Sequence, residues 1–192
     1  LGTEQGMDRA LSIYETIKSP NQISTSAIIN GFAKRNTDQA MEKALAIYKN
    51  LKNPDIVATN TILNGFAEQA TESAMKKALS IYKTLKKPDH IAKKTMIKGL
   101  INQGTDAAMK EAMAIYKTDP NSMAANTIIG GLVKKNTEES VQQALSIYEN
   151  LSKPSQNNRY SLISGLRKFE NSSWAKEKIP IIQNQLNQHK EN

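Results

Sequence analysis

The sequence has no cysteine among its 192 residues. This absence excludes a disulfide framework and a thiolate metal site. Long apolar runs are also missing, and the N-terminus lacks the charged-then-apolar order that marks a signal peptide. We therefore expect no membrane partner and no secretion signal in this sequence.

Histidine is scarce too. Only His90 and His189 are present, far apart in sequence, and no Ser-His-Asp set, His-Glu pair or carboxylate cluster recurs at a usable spacing. The glycines form no phosphate-binding loop, because those of the repeated motifs stand singly within helical patterns. We therefore predict that the chain is not an enzyme and that it needs no metal and no cofactor.

What the sequence does contain is a five-residue motif written five times, as ALSIY, ALAIY or AMAIY. Its tyrosines are separated by 34, 34, 34 and 32 residues: Tyr14, Tyr48, Tyr82, Tyr116 and Tyr148. Glycines keep nearly the same period at Gly31, Gly65, Gly99, Gly131 and Gly165, and prolines at Pro20, Pro54, Pro88, Pro120 and Pro154. A fixed period in this range predicts a repeat array, whose core is buried between neighbouring units.

Each period divides into two helical patterns. In residues 54–88, the first pattern predicts helix A from about Ile56 to Gln69, with Asp55 as its N-cap. Thr71 and the acidic Glu72 then mark the start of helix B, where a carboxylate complements the helix dipole. The same step of Thr and an acid recurs at Thr3, Thr37, Thr105 and Thr137. The predicted fold is all-α, a right-handed α-solenoid of helix-turn-helix repeats of about 34 residues.

The period also sets the expected boundaries within this single solenoid domain. Residues 1–19 form helix B of a truncated repeat, and residues 20–53 and 54–87 are full repeats. Residues 88–119 form a shortened repeat, 120–153 a further repeat, and 154–192 a degenerate capping repeat. Pro180 lies inside the last predicted helix B, which we expect to be kinked or to begin late.

Charge is distributed unevenly over the two sets of helices. The chain has 26 Lys and Arg against 18 Asp and Glu, and the basic excess is concentrated in helix A and the turn after it. Helix A lines the concave surface in most solenoids of paired helices, so this excess predicts a polyanionic partner. The alternative is that these lysines only neutralise the C-terminal ends of the A helices.

The helix A motifs carry a family resemblance. Five segments resemble the pentatricopeptide repeat over nearly the whole chain: SAIINGF (26–32), NTILNGF (60–66), KTMIKGL (94–100), NTIIGGL (126–132) and YSLISGL (160–166). The second and third of them follow Pro-Asp junctions, as in that family. The turn from A to B is longer than in that family, and the end of helix B is shorter and lacks Gly-Ile before Pro-Asp. The tetratricopeptide repeat, also of 34 residues, is similar in helix B and in TDPNS (118–122).

The resemblance implies binding of single-stranded RNA, with one base per repeat. In the family, a selector on helix A and the last residue of the repeat contact the base edge together. The corresponding pairs here are Ser26 with Asp55, Asn60 with Asp89, Lys94 with Asn121, and Asn126 with Ser155. By the family's preferences these pairs suggest guanine, uracil, no defined base and a pyrimidine, most often cytosine. Lys94 and Tyr160 have no place in that pattern.

Apolar residues stand three positions before each selector, and in the family they sandwich the base faces: Ile23, Val57, Ile91 and Met123. Asn157 breaks this series. Basic residues at the ends of the A helices would contact phosphates: Lys34, Arg35, Lys134, Lys135 and Lys168. The alternatives are structural, since Asp55 and Asp89 also fit as ordinary N-caps and the apolar series could pack on the preceding helix B.

Two functional hypotheses follow, and a third is held open. The favoured one is a sequence-preferring RNA-binding protein, and the second is a tetratricopeptide-like scaffold that binds an acidic peptide or protein. A groove without an anionic ligand is the third. The pentatricopeptide resemblance implies a mitochondrial or plastid location, whereas the Lys- and Asn-rich composition also suits a bacterial protein in the cytoplasm or one delivered to a host.

Overall fold

A computed structural model describes residues 3–188 of the chain; His189 and the other residues outside this range are not described. All regular secondary structure in residues 3–188 is helical, which confirms the all-α prediction. The helices are α1 (Glu4–Glu15), α2 (Gln22–Ala33), α3 (Asp38–Lys49), α4 (Ile56–Gln69), α5 (Glu72–Thr84), α6 (His90–Gln103), α7 (Asp106–Lys117), α8 (Ser122–Lys135), α9 (Glu138–Glu149), α10 (Gln156–Leu166) and α11 (Ser173–Gln188). A short 3₁₀ turn, Arg167–Phe169, follows α10. None of the described helices is long and apolar enough to cross a membrane.

The chain forms two compact units, Leu1–Gly99 and Leu100–Asn192, and the division falls within α6. In the first unit α1 packs on α2, α2 packs on α3 and α4, and α4 also packs on α3 and α5. In the second unit α8 packs on α7, α9 and α10, and α10 packs on α9 and α11. Each unit is therefore a repeat-like array in which a helix A contacts its own helix B and the next helix A.

Side-chain caps define where the helices begin. The threonine that was predicted before each B helix accepts a hydrogen bond from the backbone N–H three residues on, at Thr3, Thr37, Thr71, Thr105 and Thr137. The A helices begin behind Asn21, Asp55, Asp89, Asn121 and Ser155, which cap in the same way. The predicted bounds of α4 are confirmed at both ends. The last helix runs continuously through Pro180, from Ser173 to Gln188.

The core between helices depends on small residues at fixed positions. Ala44, Ala78, Ala112 and Ala144 on the B helices are completely buried. The periodic glycines on the A helices lie against side chains of the preceding repeat. A Cβ added at Gly65 would lie 2.6 Å from Met41 Sδ, and one added at Gly99 would lie 2.7 Å from Met75 Sδ and 2.9 Å from the Cα of Ala67. Real Cβ contacts are not so short, so a side chain at Gly65 would displace the end of Met41, and one at Gly99 would meet backbone that cannot move aside as easily.

Hydrogen bonds between tyrosine and threonine join successive repeats in the first unit. Tyr14 Oη lies 2.9 Å from Thr25 Oγ1, and Tyr48 Oη lies 3.2 Å from Thr59 Oγ1. Each threonine hydroxyl also donates to the backbone carbonyl four residues earlier, so the tyrosine must be the donor to the threonine. These tyrosines therefore act in packing between repeats.

Two lysines on the B helices form ion pairs with acidic residues of the preceding repeat. Lys43 forms an ion pair with Asp8, and Lys77 forms one with Glu42. Each ammonium group lies over the ring of a buried phenylalanine, at 5.7 Å from the Phe32 centroid and 6.0 Å from the Phe66 centroid. These lysines are therefore structural.

The glycine contacts give a direct test of the packing. We expect Gly99→Ala to lower the free energy of unfolding by about 1–3 kcal/mol, since the new methyl group meets the backbone of Ala67 and overpacking a close contact is costly. Gly130→Ala is the matched control, because this helical glycine has no neighbour within 4 Å of the added Cβ. It should be stabilised by up to about 1 kcal/mol through helix propensity. Urea unfolding of both variants measures the difference, and equal effects would contradict the proposed close packing.

Candidate nucleic-acid interface

A surface cleft of about 480 Å³ in the first unit brings several of the predicted site residues together. Lys34 at the end of α2, Val57 and Asn60 on α4, and Asp89 and Ile91 at the start of α6 all line it. They belong to three predicted classes: a phosphate contact, two base-sandwiching residues and one selector pair. The cleft volume lies within the range of about 300–1,000 Å³ that is typical of small-molecule sites.

The selector pair of this cleft is joined by a hydrogen bond. Asn60 Nδ2 donates to Asp89 Oδ2 at 3.0 Å, while Asp89 Oδ1 accepts from the backbone N–H of Ala92 at 2.7 Å. One carboxylate oxygen therefore caps α6, and the other accepts from Asn60. Because an ionised carboxylate only accepts hydrogen bonds, Asp89 also fixes the orientation of the Asn60 amide, with its nitrogen toward the carboxylate.

The other end of that amide has no partner. Asn60 Oδ1 is buried without a hydrogen bond among the described residues, and so is Asn126 Oδ1 at the equivalent position of the second unit. A buried polar atom left unpaired costs about 1–3 kcal/mol. The amide oxygen at these two positions therefore does not contribute to the stability of the helices that carry it.

The apolar series before the selectors is exposed. Ile23, Val57, Ile91 and Met123 are 81%, 57%, 47% and 56% exposed. Each stands in the first turn of an A helix. Packing on the preceding helix B does not account for side chains with this much exposure. The exposure therefore favours contact with a ligand over a purely structural role.

The remaining selector pairs are not joined in this way. Asp55 caps α4 through the backbone N–H of Ala58 at 2.7 Å and has no described hydrogen bond to the partly exposed Ser26. Ser155 accepts from the backbone N–H of Asn158 and donates to Asn158 Oδ1, so the one proton of its hydroxyl is already used. Of the third predicted pair, Asn121 caps α8 and also donates to the backbone carbonyl of Asp119, and Lys94 is exposed.

The five predicted phosphate contacts fall into two groups. Lys34, Lys134 and Lys168 are exposed, and none of the described ion pairs involves them. Arg35 instead lies 3.6 Å from Glu4, and Lys135 is paired with Asp106. A phosphate would have to compete with these carboxylates for Arg35 and Lys135. The first group is therefore the better placed for contacts with a polyanion.

Further residues of the cleft escaped the sequence interpretation. Asn64 and Glu68 line it as well, and Asn64 Nδ2 donates to Glu68 Oε1 at 2.9 Å. The sequence contained a sign of them, because Asn60, Asn64 and Glu68 are four residues apart and so share one face of a helix. Ser26, Asn30 and Lys34 have the same spacing along α2 and its C-cap.

The fold places the chain in the class of all-α helical-repeat proteins. Comparison with protein-family models gives no match, and no curated protein matches the chain either.

The unpaired amide oxygen at Asn126 predicts an effect on stability. Asn126→Ala should raise the free energy of unfolding by about 1 kcal/mol, because it removes the buried unpaired oxygen and improves helix propensity. Asn30→Ala on α2, an exposed residue, is the matched control and should show the gain in propensity alone. Thermal unfolding by circular dichroism compares the two. If Asn126→Ala is less stable than the unmodified chain while Asn30→Ala is not, Asn126 is structural and the prediction is wrong.

Proposed function

We propose that this chain is a single-stranded RNA-binding protein of pentatricopeptide type, in which the cleft of the first unit holds one base. The observation that carries the proposal is the hydrogen bond between Asn60 and Asp89 inside a cleft that also has exposed apolar side chains and a free lysine. The sequence resemblance had paired these two residues as the selector of one repeat. Their contact supports that pairing.

The chemistry of the pair suits a two-point contact with a base edge. Asn60 Nδ2 has a second N–H, and Asp89 Oδ2 has a further lone pair, so the pair offers a donor beside an acceptor. Uracil and guanine present a carbonyl oxygen beside a ring N–H, and cytosine and adenine present a ring acceptor beside an amino group, so each edge complements the pair in one orientation of the base. The resemblance implies uracil at this repeat, with its carbonyl oxygen toward Asn60 Nδ2 and its ring N–H toward Asp89 Oδ2.

The surroundings of the pair suit the rest of a nucleotide. Val57 and Ile91 offer apolar surfaces to the base, and such stacking contributes on the order of 1 kcal/mol per base, the low end of the aromatic range. Lys34 supplies a cation for the backbone phosphate. Glu68 in the same cleft is acidic, but its carboxylate accepts a hydrogen bond from Asn64. It lies on the same face of α4 as Asn60, about two helical turns further along the helix.

The test is selection from a random pool of single-stranded RNA, beside a matched DNA pool, with the unmodified chain and two variants. Asn60→Ala removes the donor and should cost about 1–3 kcal/mol of binding free energy at one base position. Asp89→Asn is the sharper variant, because asparagine still caps α6 but no longer fixes the Asn60 amide. It should relax the choice of base at that position while leaving the other positions and the stability nearly unchanged.

Other outcomes decide against the proposal. If no RNA is retained at low salt, where electrostatic binding is strongest, the RNA-binding function is wrong. Binding that ignores the base sequence and is matched by a pool of acidic peptides would instead favour the tetratricopeptide-like scaffold. A motif that neither variant relaxes would show that recognition lies elsewhere on the chain.

Lys34 gives a separate prediction about the phosphate. Lys34→Ala should weaken binding to all RNA sequences by a similar factor and reduce the slope of log K against log salt by about 0.7, the value for one phosphate contact on a single strand. The control is Lys49→Ala, since Lys49 is an exposed lysine on helix α3 and does not line the cleft. Fluorescence anisotropy over a salt series measures both slopes. Equal slopes for the two variants would exclude a phosphate contact by Lys34.

A further inference from the structure

A second pocket, of about 400 Å³, lies in the second unit between α9, α10 and α11. It is separate from the RNA cleft and contains none of the predicted RNA-binding residues. Two basic side chains line it, Arg159 and Lys178, together with the polar Tyr148 and Gln185. The remaining walls are mainly apolar, with Leu145, Leu151, Pro154, Ile181 and Ile182.

Arg159 is the unusual member of this pocket. It is only 7% exposed, and its Nε is buried without a hydrogen-bond partner among the described residues. A guanidinium group stays charged at any ordinary pH, so burial cannot be relieved by loss of the proton. A buried charge without a counter-charge is strongly unfavourable. Within the described part of the chain, no ion pair involves Arg159.

The acid that could have neutralised Arg159 is used elsewhere. Glu149 lines the same pocket but pairs with Lys178, with Nζ 2.9 Å from Oε1. Arg159 instead interacts with Tyr148, whose hydroxyl donates to Gln185 Oε1 at 2.6 Å. Burial raises the pKa of the Tyr148 hydroxyl, and the guanidinium beside it opposes that shift without reversing it. The tyrosine therefore remains neutral and does not compensate the charge.

The repeat pattern shows that the fold does not require an arginine here. Arg159 occupies the position of Thr25 and Thr59, which accept the tyrosine hydroxyl of the preceding repeat. Threonine is sufficient for that contact between repeats. The arginine thus adds a charge that packing does not need, and it places five donors in a planar fork that suits a carboxylate.

We propose that this pocket binds the carboxylate group of an amphipathic ligand, with Arg159 as the anion-binding residue and the leucine and isoleucine side chains around the apolar part. With Lys178 paired to Glu149, one positive charge is left over, which matches a single carboxylate better than a doubly charged phosphate. The proposal does not depend on RNA binding. The carboxylate can belong to a free organic acid or to the C-terminus of a polypeptide that ends in an apolar residue.

Calorimetric titration of the whole chain tests the proposal with four probes: 4-methylpentanoate, its uncharged amide, inorganic phosphate, and a blocked peptide ending in leucine with a free carboxylate. The acid should bind roughly tenfold or more tightly than its amide, because only the acid forms charge-assisted hydrogen bonds with the guanidinium. Of the two carboxylate sources, the tighter binder identifies the physiological class. Equal binding of acid and amide, or tighter binding of phosphate, would overturn the assignment.

Two variants locate the binding. Arg159→Thr introduces the residue found at Thr25 and Thr59, so it should fold and lose carboxylate affinity by roughly tenfold or more. Arg167→Thr is the matched control, because Arg167 is an exposed arginine that does not line the pocket, and it should bind as the unmodified chain does.

If Arg159→Thr does not fold, Ile181→Glu at the exposed rim provides the second test. A new negative charge there should weaken the acid several-fold and the amide not at all. Unchanged acid affinity in the folded Arg159→Thr variant, or in Ile181→Glu, would refute the site.

Discussion

The close approach of each helix A to the preceding repeat is the constraint on which the rest of the structure depends. In the first unit, Gly31, Gly65 and Gly99 each lie against a methionine of the preceding helix B. In the second unit, Gly131 and Gly165 lie instead against Ile101 and Val133, side chains of the preceding A helices. The ends of the methionines can move to accept a Cβ, whereas the branched side chains have less freedom to do so. This spacing sets the separation of neighbouring A helices and therefore the width of the cleft that contains Asn60.

The helix boundaries were predictable because their causes are local. An N-cap acts on backbone groups two or three residues away, so Thr71 or Asp55 marks a helix start from sequence alone. A left-handed residue follows each of four A helices, at Asn36, Ala70, Gly104 and Asn136. Glycine and asparagine favour this conformation at a helix end, so three of these turns carry a local signal. Alanine rarely adopts it, so the residue type gives no such signal at Ala70.

The candidate site was predictable in part. The pairing of Asn60 with Asp89 and the apolar positions came from the resemblance, while Asn64 and Glu68 could have been found from a step of four along helix A. The buried, unpaired oxygens of Asn60 and Asn126 could not, since burial of one atom depends on how neighbouring helices pack. Arg159 was missed for a related reason. Its position in the period equals that of Thr25, but only the structure shows that the side chain is buried and without a carboxylate.

The residue that caps each helix A is also the second member of a predicted selector pair. Its side-chain oxygens can therefore be used either for the cap or for contact with a base, and the repeats differ in how many oxygens they have. Asp89 has two carboxylate oxygens, so one can cap α6 while the other orients Asn60 without further loss of conformational freedom. Ser155 has a single hydroxyl, whose proton is donated to Asn158 Oδ1, so an acceptor on a base would have to displace that contact. Asp55 has a second oxygen, but no described hydrogen bond joins it to Ser26. Under the proposed RNA-binding function, discrimination between bases should therefore be strongest at the repeat of Asn60 and weaker at those of Ser26 and Asn126.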